Sequence, residues 1–363
     1  MRKKPWILLT GATGFVGRRL LTELLADGES VAVLLRPTRK HRNVAHRWLE
    51  FLQTISVQYL SRCALIPGDI THETCGAAAS DMYWLQRNCN RLIHCAADVS
   101  FGSAQKSDQV NVGGTRHVLQ LREWADISDF HYVSTAYVCG DRRGELVTED
   151  PASTATARNA YERSKREAEK LVLDLCDPTR RWIYRPSIVV GDYRTGETAC
   201  FQSFYALIRF VHLLLQRGGK YLKSFGNIQL SLSGDEPVNL VPVSMVARAI
   251  SMAVAGCAPS GIFHITGSTP PRTRDVAAAI CSYFNIAEVY FSGVDSPAAD
   301  DFLSKQFREY LGPYADYWGN DPFFSATGLK QWFPEGCWEE VDAACLRRLI
   351  DYAIRTDFGK QIG

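Results

Sequence analysis

Thr10-Gly11-Ala12-Thr13-Gly14-Phe15-Val16-Gly17 is the stretch on which the reading of this chain turns. It follows the apolar run Trp6–Thr10 directly and opens a segment, 16–25, whose apolar residues recur at helical spacing. A strand that passes into a helix through three glycines is a phosphate-binding turn. One glycine permits the tight bend, one lets the backbone approach a pyrophosphate, and one lets helix and strand pack closely. The helix N-terminus then offers unpaired N–H groups to the phosphates. The spacing is G-x-x-G-x-x-G rather than G-x-G-x-x-G, so the motif draws its weight from its surroundings.

Those surroundings alternate. Short β-branched or apolar runs at 31–35, 64–67, 91–95, 130–134 and 182–185 are separated by helical spacing, clearest at 112–124 and 161–175. Strands alternating with helices predict βαβ units and a parallel sheet covered on both faces. With right-handed crossovers this is an α/β, Rossmann-type doubly wound fold. After Gly191 the texture changes. An apolar helical stretch and a Gly/Lys/Ser-rich turn are followed by a strand-like piece at 237–243, a helix at 244–254, a strand at 261–266, a helix at 274–284 and an aromatic-rich end. Residues 1–191 and 235–267 therefore read as the nucleotide-binding domain. Residues 192–234 and 268–363 read as a smaller, discontinuous substrate-binding lobe.

Composition narrows the function classes. A hydrophobic fraction of 46% and a charged fraction of 22% in 363 residues exclude a disordered or fibrous chain. The net charge of +2 provides no sequence-wide basic field for nucleic acid. Eleven cysteines without a Cys-x-x-Cys pair lack zinc-site and redox spacing, and read as buried thiols in a reducing compartment. The apolar stretch 201–215 is interrupted by Gln202, Arg209 and His212 and is shorter than the ~18 residues a membrane span needs. The expectation is a cytoplasmic protein without a membrane span or a metal site.

The end of the second strand selects the cofactor. An acidic residue there would hold the ribose 2′-hydroxyl of NAD, whereas arginine suits a 2′-phosphate. The chain reads Leu35-Arg36-Pro37-Thr38-Arg39-Lys40, without a carboxylate. Arg36, supported by Arg39 and Lys40, is the expected 2′-phosphate ligand, which favours NADP(H). The plainer reading of the same residues is a solvated basic loop.

Tyr161 and Lys165 lie one helical turn apart and share a face. A lysine cation beside a phenol lowers its pKa and makes it a usable proton donor. Such a pair arises readily by chance in a chain with 15 tyrosines, so context matters. Upstream lies His131-Tyr-Val-Ser134-Thr135-Ala136-Tyr137-Val138, which places the Thr135 hydroxyl at the C-terminal end of a parallel strand, where such sheets bind ligands. Thr135 would polarise a substrate carbonyl beside Tyr161, and hydride from a nicotinamide would attack the carbonyl carbon.

Taken together, Thr10–Gly17, Asp69-Ile70, Asn111-Val-Gly-Gly-Thr115, Thr135, Tyr161-x-x-x-Lys165 and Arg185-Pro186-Ser187 resemble an extended short-chain dehydrogenase/reductase, in that family's order. The resemblance narrows at Leu92-Ile-His94-Cys95-Ala96-Ala97-Asp98-Val99-Ser100-Phe101, Tyr132–Val138 and Asp81–Asn90. These look like the thioester reductase and fatty acyl-CoA reductase ("male sterility") branch, with its H-x-A-A-x-V-x-F and V-S-T-A-Y-V patterns.

That resemblance implies roles. Gly11, Thr13, Gly14, Phe15, Val16 and Gly17 would hold the pyrophosphate, and Asp69 and Ile70 the adenine. Ala96, Ala97, Asp98 and Ser134 would line the cofactor cleft, and Pro186, Ser187 and Ile188 would approach the nicotinamide. Thr135, Tyr161 and Lys165 would be catalytic, with Asn111 supporting a proton relay behind Lys165. His94, with no second metal-ligating residue at suitable spacing, reads as structural. The implied activity is NADPH-dependent reduction of an acyl thioester on coenzyme A or an acyl carrier protein, or of the derived aldehyde. The stretch 201–215 reads either as an acyl-tunnel wall or as a packing helix, and Lys220 and Lys223 either as phosphate ligands or as turn residues. A nucleotide-sugar epimerase/dehydratase or hydroxysteroid-type dehydrogenase would ordinarily prefer NAD, against Arg36. A non-catalytic NADP-binding regulator would be expected to lack Tyr161 or Lys165, and both are present.

Overall fold

Ile7 and Leu9 face one way along the first strand and Leu8 the other, and all three are completely buried. A strand covered on both faces must be apolar throughout, which is why Ile-Leu-Leu and the later Val-Ala-Val-Leu-Leu show no polar alternation. The computed structural model describes residues 5–38, 43–151, 155–224, 228–230, 234–286, 289–291, 309–318 and 321–360.

In chain order the first half of the chain contains β1 (Trp6–Thr10), α1 (Phe15–Ala26), β2 (Ser30–Leu35), α2 (Val44–Leu52), β3 (Cys63–Pro67), α3 (Ala79–Asn88), β4 (Cys89–His94), α4 (Ala104–Ser107), α5 (Gly114–Trp124), β5 (Asp129–Val133), β6 (Leu146–Val147), α6 (Ala160–Leu175) and β7 (Arg181–Pro186). There follow β8 (Ile188–Val190), α7 (Phe204–Ser224), β9 (Ile228–Leu230), β10 (Leu240–Pro242), α8 (Val243–Val254), β11 (Gly261–Ile265), α9 (Thr273–Phe284), β12 (Val289–Phe291), β13 (Phe323–Phe324), α10 (Thr327–Lys330) and α11 (Ala343–Arg355).

Seven strands form one sheet in the order β11-β7-β5-β4-β1-β2-β3, and every neighbouring pair is parallel. β1 lies between β2 and β4, so the strand order reverses there. The loops leaving β1 and β4 diverge at this point and open a crevice at the C-terminal ends of the strands. α1 and α8 cover the face that carries Ile7 and Leu9, while α3, α5 and α6 cover the face that carries Leu8. The expected Rossmann-type doubly wound sheet is the observed one.

Two local expectations change. The strand-like run at 237–243 shortens to β10 and pairs with β8 rather than with the large sheet. Pro237 and Pro242 each lack an N–H donor, which limits the ladder. The Gly/Lys-rich region after 215 is not a turn: α7 continues through Gly218 and Gly219 to Ser224. Each glycine costs roughly 1 kcal/mol in a helix. Docking of Phe204, Tyr205, Leu207 and Ile208 against α9 and α11 outweighs that cost.

The second core contains residues of α7, α9 and α11 together with Leu311 and Trp318. The segment between Trp318 and α11 leaves that core. Ala326, Leu329 and Phe333 return to the cluster that contains Ile7, Val33 and α8. The Glu149 carboxylate fixes this return by accepting the N–H of His264 (2.8 Å) and of Gly328 (2.7 Å). No helix among the described residues is long and apolar enough to cross a membrane.

Candidate active site

Close packing forces the glycines of the first turn. Gly11 has φ +76, and a Cβ there would lie 2.5 Å from the Ala96 nitrogen. A Cβ on Gly17 would lie 2.1 Å from the Gly11 oxygen. No side chain caps the start of α1, so its first N–H groups stay open toward the crevice. The crevice encloses about 470 Å³, and Gly11, Thr13, Gly14, Phe15, Val16 and Gly17 line one end of it.

At the outer end, beyond β2, Arg36 lies 3.7 Å from the Asp69 carboxylate. Asp69 Oδ1 also accepts from the Thr71 N–H and hydroxyl, at 3.0 and 2.9 Å. Arg47, from α2, donates to the Arg36 carbonyl and to Thr13 Oγ1 (3.1 Å). Burial, then the neighbouring Arg36 charge, lowers the Arg47 pKa. Two cations on one cavity wall make a site for an anion. Arg47 is absent from the sequence expectations because it lies on the next helix and not in the loop. Arg39 and Lys40 lie outside the described residues, as do the side chains of Lys220 and Lys223.

The floor of the crevice is braced by buried polar groups. His94 Nδ1 bonds Thr10 Oγ1 (2.7 Å), His94 Nε2 bonds Thr115 Oγ1 (3.1 Å), and Thr10 Oγ1 accepts the Ala96 N–H (3.2 Å). Burial, assisted by the Lys165 charge, lowers the His94 pKa to about 3. It is a neutral brace that fixes the Ala96–Ala97 backbone along the cavity. Asn111 stands in a π-helical turn, Asp108–Gly113, that precedes α5. Its side chain accepts the Asp98 N–H (2.8 Å) and donates to the Asp98 carbonyl (3.0 Å) and to Ser164 Oγ (2.9 Å). Asn111 thus ties the loop after β4 to α6, while its own carbonyl accepts from Thr115 Oγ1 (2.6 Å). The Asp98 carboxylate turns to Lys106 (2.7 Å) and Ser100.

Thr135, Tyr161 and Lys165 all line the inner end. Thr135 follows β5, and its Oγ1 accepts from the Tyr137 N–H (3.3 Å). Lys165 Nζ donates to the Val133 carbonyl (2.7 Å) and lies 4.3 Å from the centre of the Tyr132 ring. Burial lowers its pKa to about 8, opposed by Cys95 and Glu169. Burial raises the Tyr161 pKa to about 12, against a lowering contribution from the Thr135 hydroxyl. The expectation that Lys165 pulls the phenol below its usual range is therefore corrected here: the ammonium turns to Val133 and Tyr132, and desolvation dominates.

Ser134 also differs in emphasis from its expected cofactor role. It borders the cavity, but its hydroxyl donates to Glu169 (2.6 Å), which is paired with Arg185 (2.5 Å). Ser187 is the opposite case. It is buried on the cavity wall beside Pro186 and Ile188, and its Oγ has no hydrogen-bond partner among the described residues. Such an orphan is satisfied by a polar ligand group. The uncapped helix, the glycine cradle, the paired arginines and this orphan together fit a nicotinamide dinucleotide cofactor.

Beyond Tyr161 the wall becomes aromatic. Phe101 contacts Tyr161 edge-on (5.9 Å between centroids) and Tyr314 (4.8 Å), while Tyr137 meets Tyr317 at 4.8 Å. None of the described α7 side chains lines this cavity; Phe204, Tyr205 and Ile208 are packed in the second core. Sequence reading noted Tyr314 and Tyr317 only as part of an aromatic-rich end.

This geometry defines the class, an oxidoreductase of the extended short-chain dehydrogenase/reductase type. The family model described as male sterility protein, an NAD-binding family, matches residues 9–250, and the chain belongs to that family. It is 25% identical over 285 residues to a fatty acyl-CoA reductase of Drosophila melanogaster, covering 68% of this chain and 53% of that relative. The chain spans about half or less of the length of the curated relatives it first matches. Among solved structures it resembles the terminal R domain of the myxalamid PKS-NRPS pathway (TM-score 0.75, 23% identity, 98% of this chain and 92% of that one). It also resembles a thiolation-reductase di-domain from an archaeal non-ribosomal peptide synthetase (TM-score 0.72, 22% identity, 98% and 91%).

Proposed function

We propose that this protein is an NADPH-dependent reductase of acyl thioesters, carried on coenzyme A or on an acyl carrier protein, or of the aldehydes derived from them. The observation that carries the reading is the convergence of Thr135, Tyr161 and Lys165 at the junction between the nucleotide crevice and an aromatic, apolar wall. The named relatives support the substrate class, one as a fatty acyl-CoA reductase and one as a reductase domain joined to a thiolation domain. Arg36 and Arg47 support the 2′-phosphate of NADP(H), and no carboxylate ends β2 as the epimerase reading would want. All eleven cysteines are free thiols, which supports a cytoplasmic setting.

A nicotinamide cofactor held along Gly11–Gly17 and Pro186–Ile188 would supply hydride to the acyl carbon. Thr135 Oγ1 donates a hydrogen bond to the carbonyl oxygen, so negative charge developing there meets a fixed donor. Tyr161, with its pKa raised to about 12, stays protonated at neutral pH and delivers its proton to that oxygen. Collapse of the resulting hemithioacetal expels the thiol and leaves the aldehyde. The Lys165 ammonium, bonded to the Val133 carbonyl, anchors α6 to β5 beside the proton donor, and the Asn111 brace keeps α6 aligned with the loop after β4.

Incubation with NADPH and a panel of acyl thioesters and aldehydes should give absorbance loss at 340 nm. Loss with none of them would defeat the proposal and leave a non-catalytic binding role. The pH profile carries a sign. Lys165 is charged below about pH 8 and neutral above it, so kcat is expected to hold through neutrality and decline as pH rises past about 8. Initial rates at saturating substrate check this, and a profile flat to pH 10 would remove Lys165 from the chemistry.

A further inference from the structure

Behind the aromatic wall lies an ionic cluster that the reaction does not use. Arg158, just before α6, pairs with Glu162 (2.9 Å) and with Asp321 from the far end of the chain (3.2 Å), and the three side chains are 5%, 0% and 0% exposed. Its guanidinium lies against both rings, 4.9 Å from the centre of Tyr137 and 4.3 Å from that of Tyr317. The hydroxyls of those tyrosines complete the cluster. Tyr137 donates to Asp321 Oδ2 (2.7 Å), and Tyr317 donates to Glu162 Oε1 (2.8 Å) while accepting from Asn159 (2.9 Å). Asn239 donates to Asp321 (2.9 Å) and to the Pro322 carbonyl (2.9 Å).

Stability alone is a poor reason for such a cluster, since well-packed apolar residues replace buried ion pairs at little or no loss. What the charges provide is geometry. Both tyrosines line the cavity, yet both hydroxyls end behind the wall, so the surface turned inward is ring carbon. The cluster also grips the turn on either side of Tyr161 through Arg158 and Glu162.

We propose that Arg158 and Asp321 are positioning residues that fix the Tyr137 and Tyr317 rings as the wall against which an uncharged, apolar acyl group lies. This rests on the proposed thioester or aldehyde reduction. A displaced wall weakens acyl binding but leaves hydride donor and proton donor in place, so KM moves and kcat does not.

The test compares wild type with Asp321→Asn, which keeps the shape and removes the charge facing Arg158. The substrates are N-acetylcysteamine thioesters of a hydrocinnamoyl group, long enough to reach the wall, and of an acetyl group, which is not. The variant is expected to raise KM for the hydrocinnamoyl thioester about tenfold, with kcat, the acetyl KM and NADPH affinity within about twofold. Equal changes for both thioesters, or none, would overturn the proposal. If Asp321→Asn does not fold, Tyr317→Phe decides it by the same split, with a rise of about threefold expected. Wild type that reduces both thioesters equally well refutes the wall alone. Wild type that reduces neither refutes the reaction, and the wall with it.

Discussion

Tyr161→Phe is expected to lower turnover by about 10³-fold while NADPH affinity stays within about twofold. The change removes one hydroxyl from a ring whose volume and edge-on contact with Phe101 are retained. The neighbouring braces do not use the phenol: Ser164 Oγ donates to the Tyr161 backbone carbonyl (2.9 Å), and Lys165 to Val133. Loss of rate with retained binding therefore isolates proton delivery. Single-turnover kinetics with a titration of NADPH fluorescence separates the two quantities. Turnover within tenfold of wild type would place the proton donor elsewhere.

The second large effect concerns the cofactor. Arg36→Ala and Arg47→Ala are each expected to weaken NADPH binding by roughly 10- to 100-fold, as loss of a charge-assisted contact to a phosphate does, and to leave NADH binding nearly unchanged. The double variant should fall short of the product of the two, because Arg47 donates to the Arg36 carbonyl and the pair is coupled. Isothermal titration with both nucleotides reads the difference. Parallel weakening of NADH and NADPH would mean that the two arginines hold the fold and not the 2′-phosphate.

The parts legible in the sequence are those encoded within one or two turns of chain. The glycine cradle and α1 form one local unit, the Tyr161–Lys165 spacing is one helical turn, and the strands of the central sheet announce themselves as unbroken apolar runs. Arg47 was not legible, because only the packing of α2 against the end of β2 brings it to Thr13. Nor was the aromatic wall: Tyr137 and Tyr317 meet through Asp321, Arg158 and Glu162, contacts between segments far apart in sequence. The Tyr161 acidity was misjudged from spacing for a related reason. A shared helical face brings Lys165 near, but burial and the Val133 carbonyl decide where its charge points.

Asp321 and Tyr317 come late in the chain, whereas the glycine cradle is complete by residue 17. During synthesis the glycine cradle can therefore form long before Tyr317 and Asp321 exist to complete the aromatic wall. A nascent polypeptide at that stage leaves Arg158 and Glu162 without the Asp321 carboxylate and the Tyr317 ring that they meet in the fold. The wall is complete only when residues 317–321 have left the ribosome and the Asp321 carboxylate has seated on Arg158.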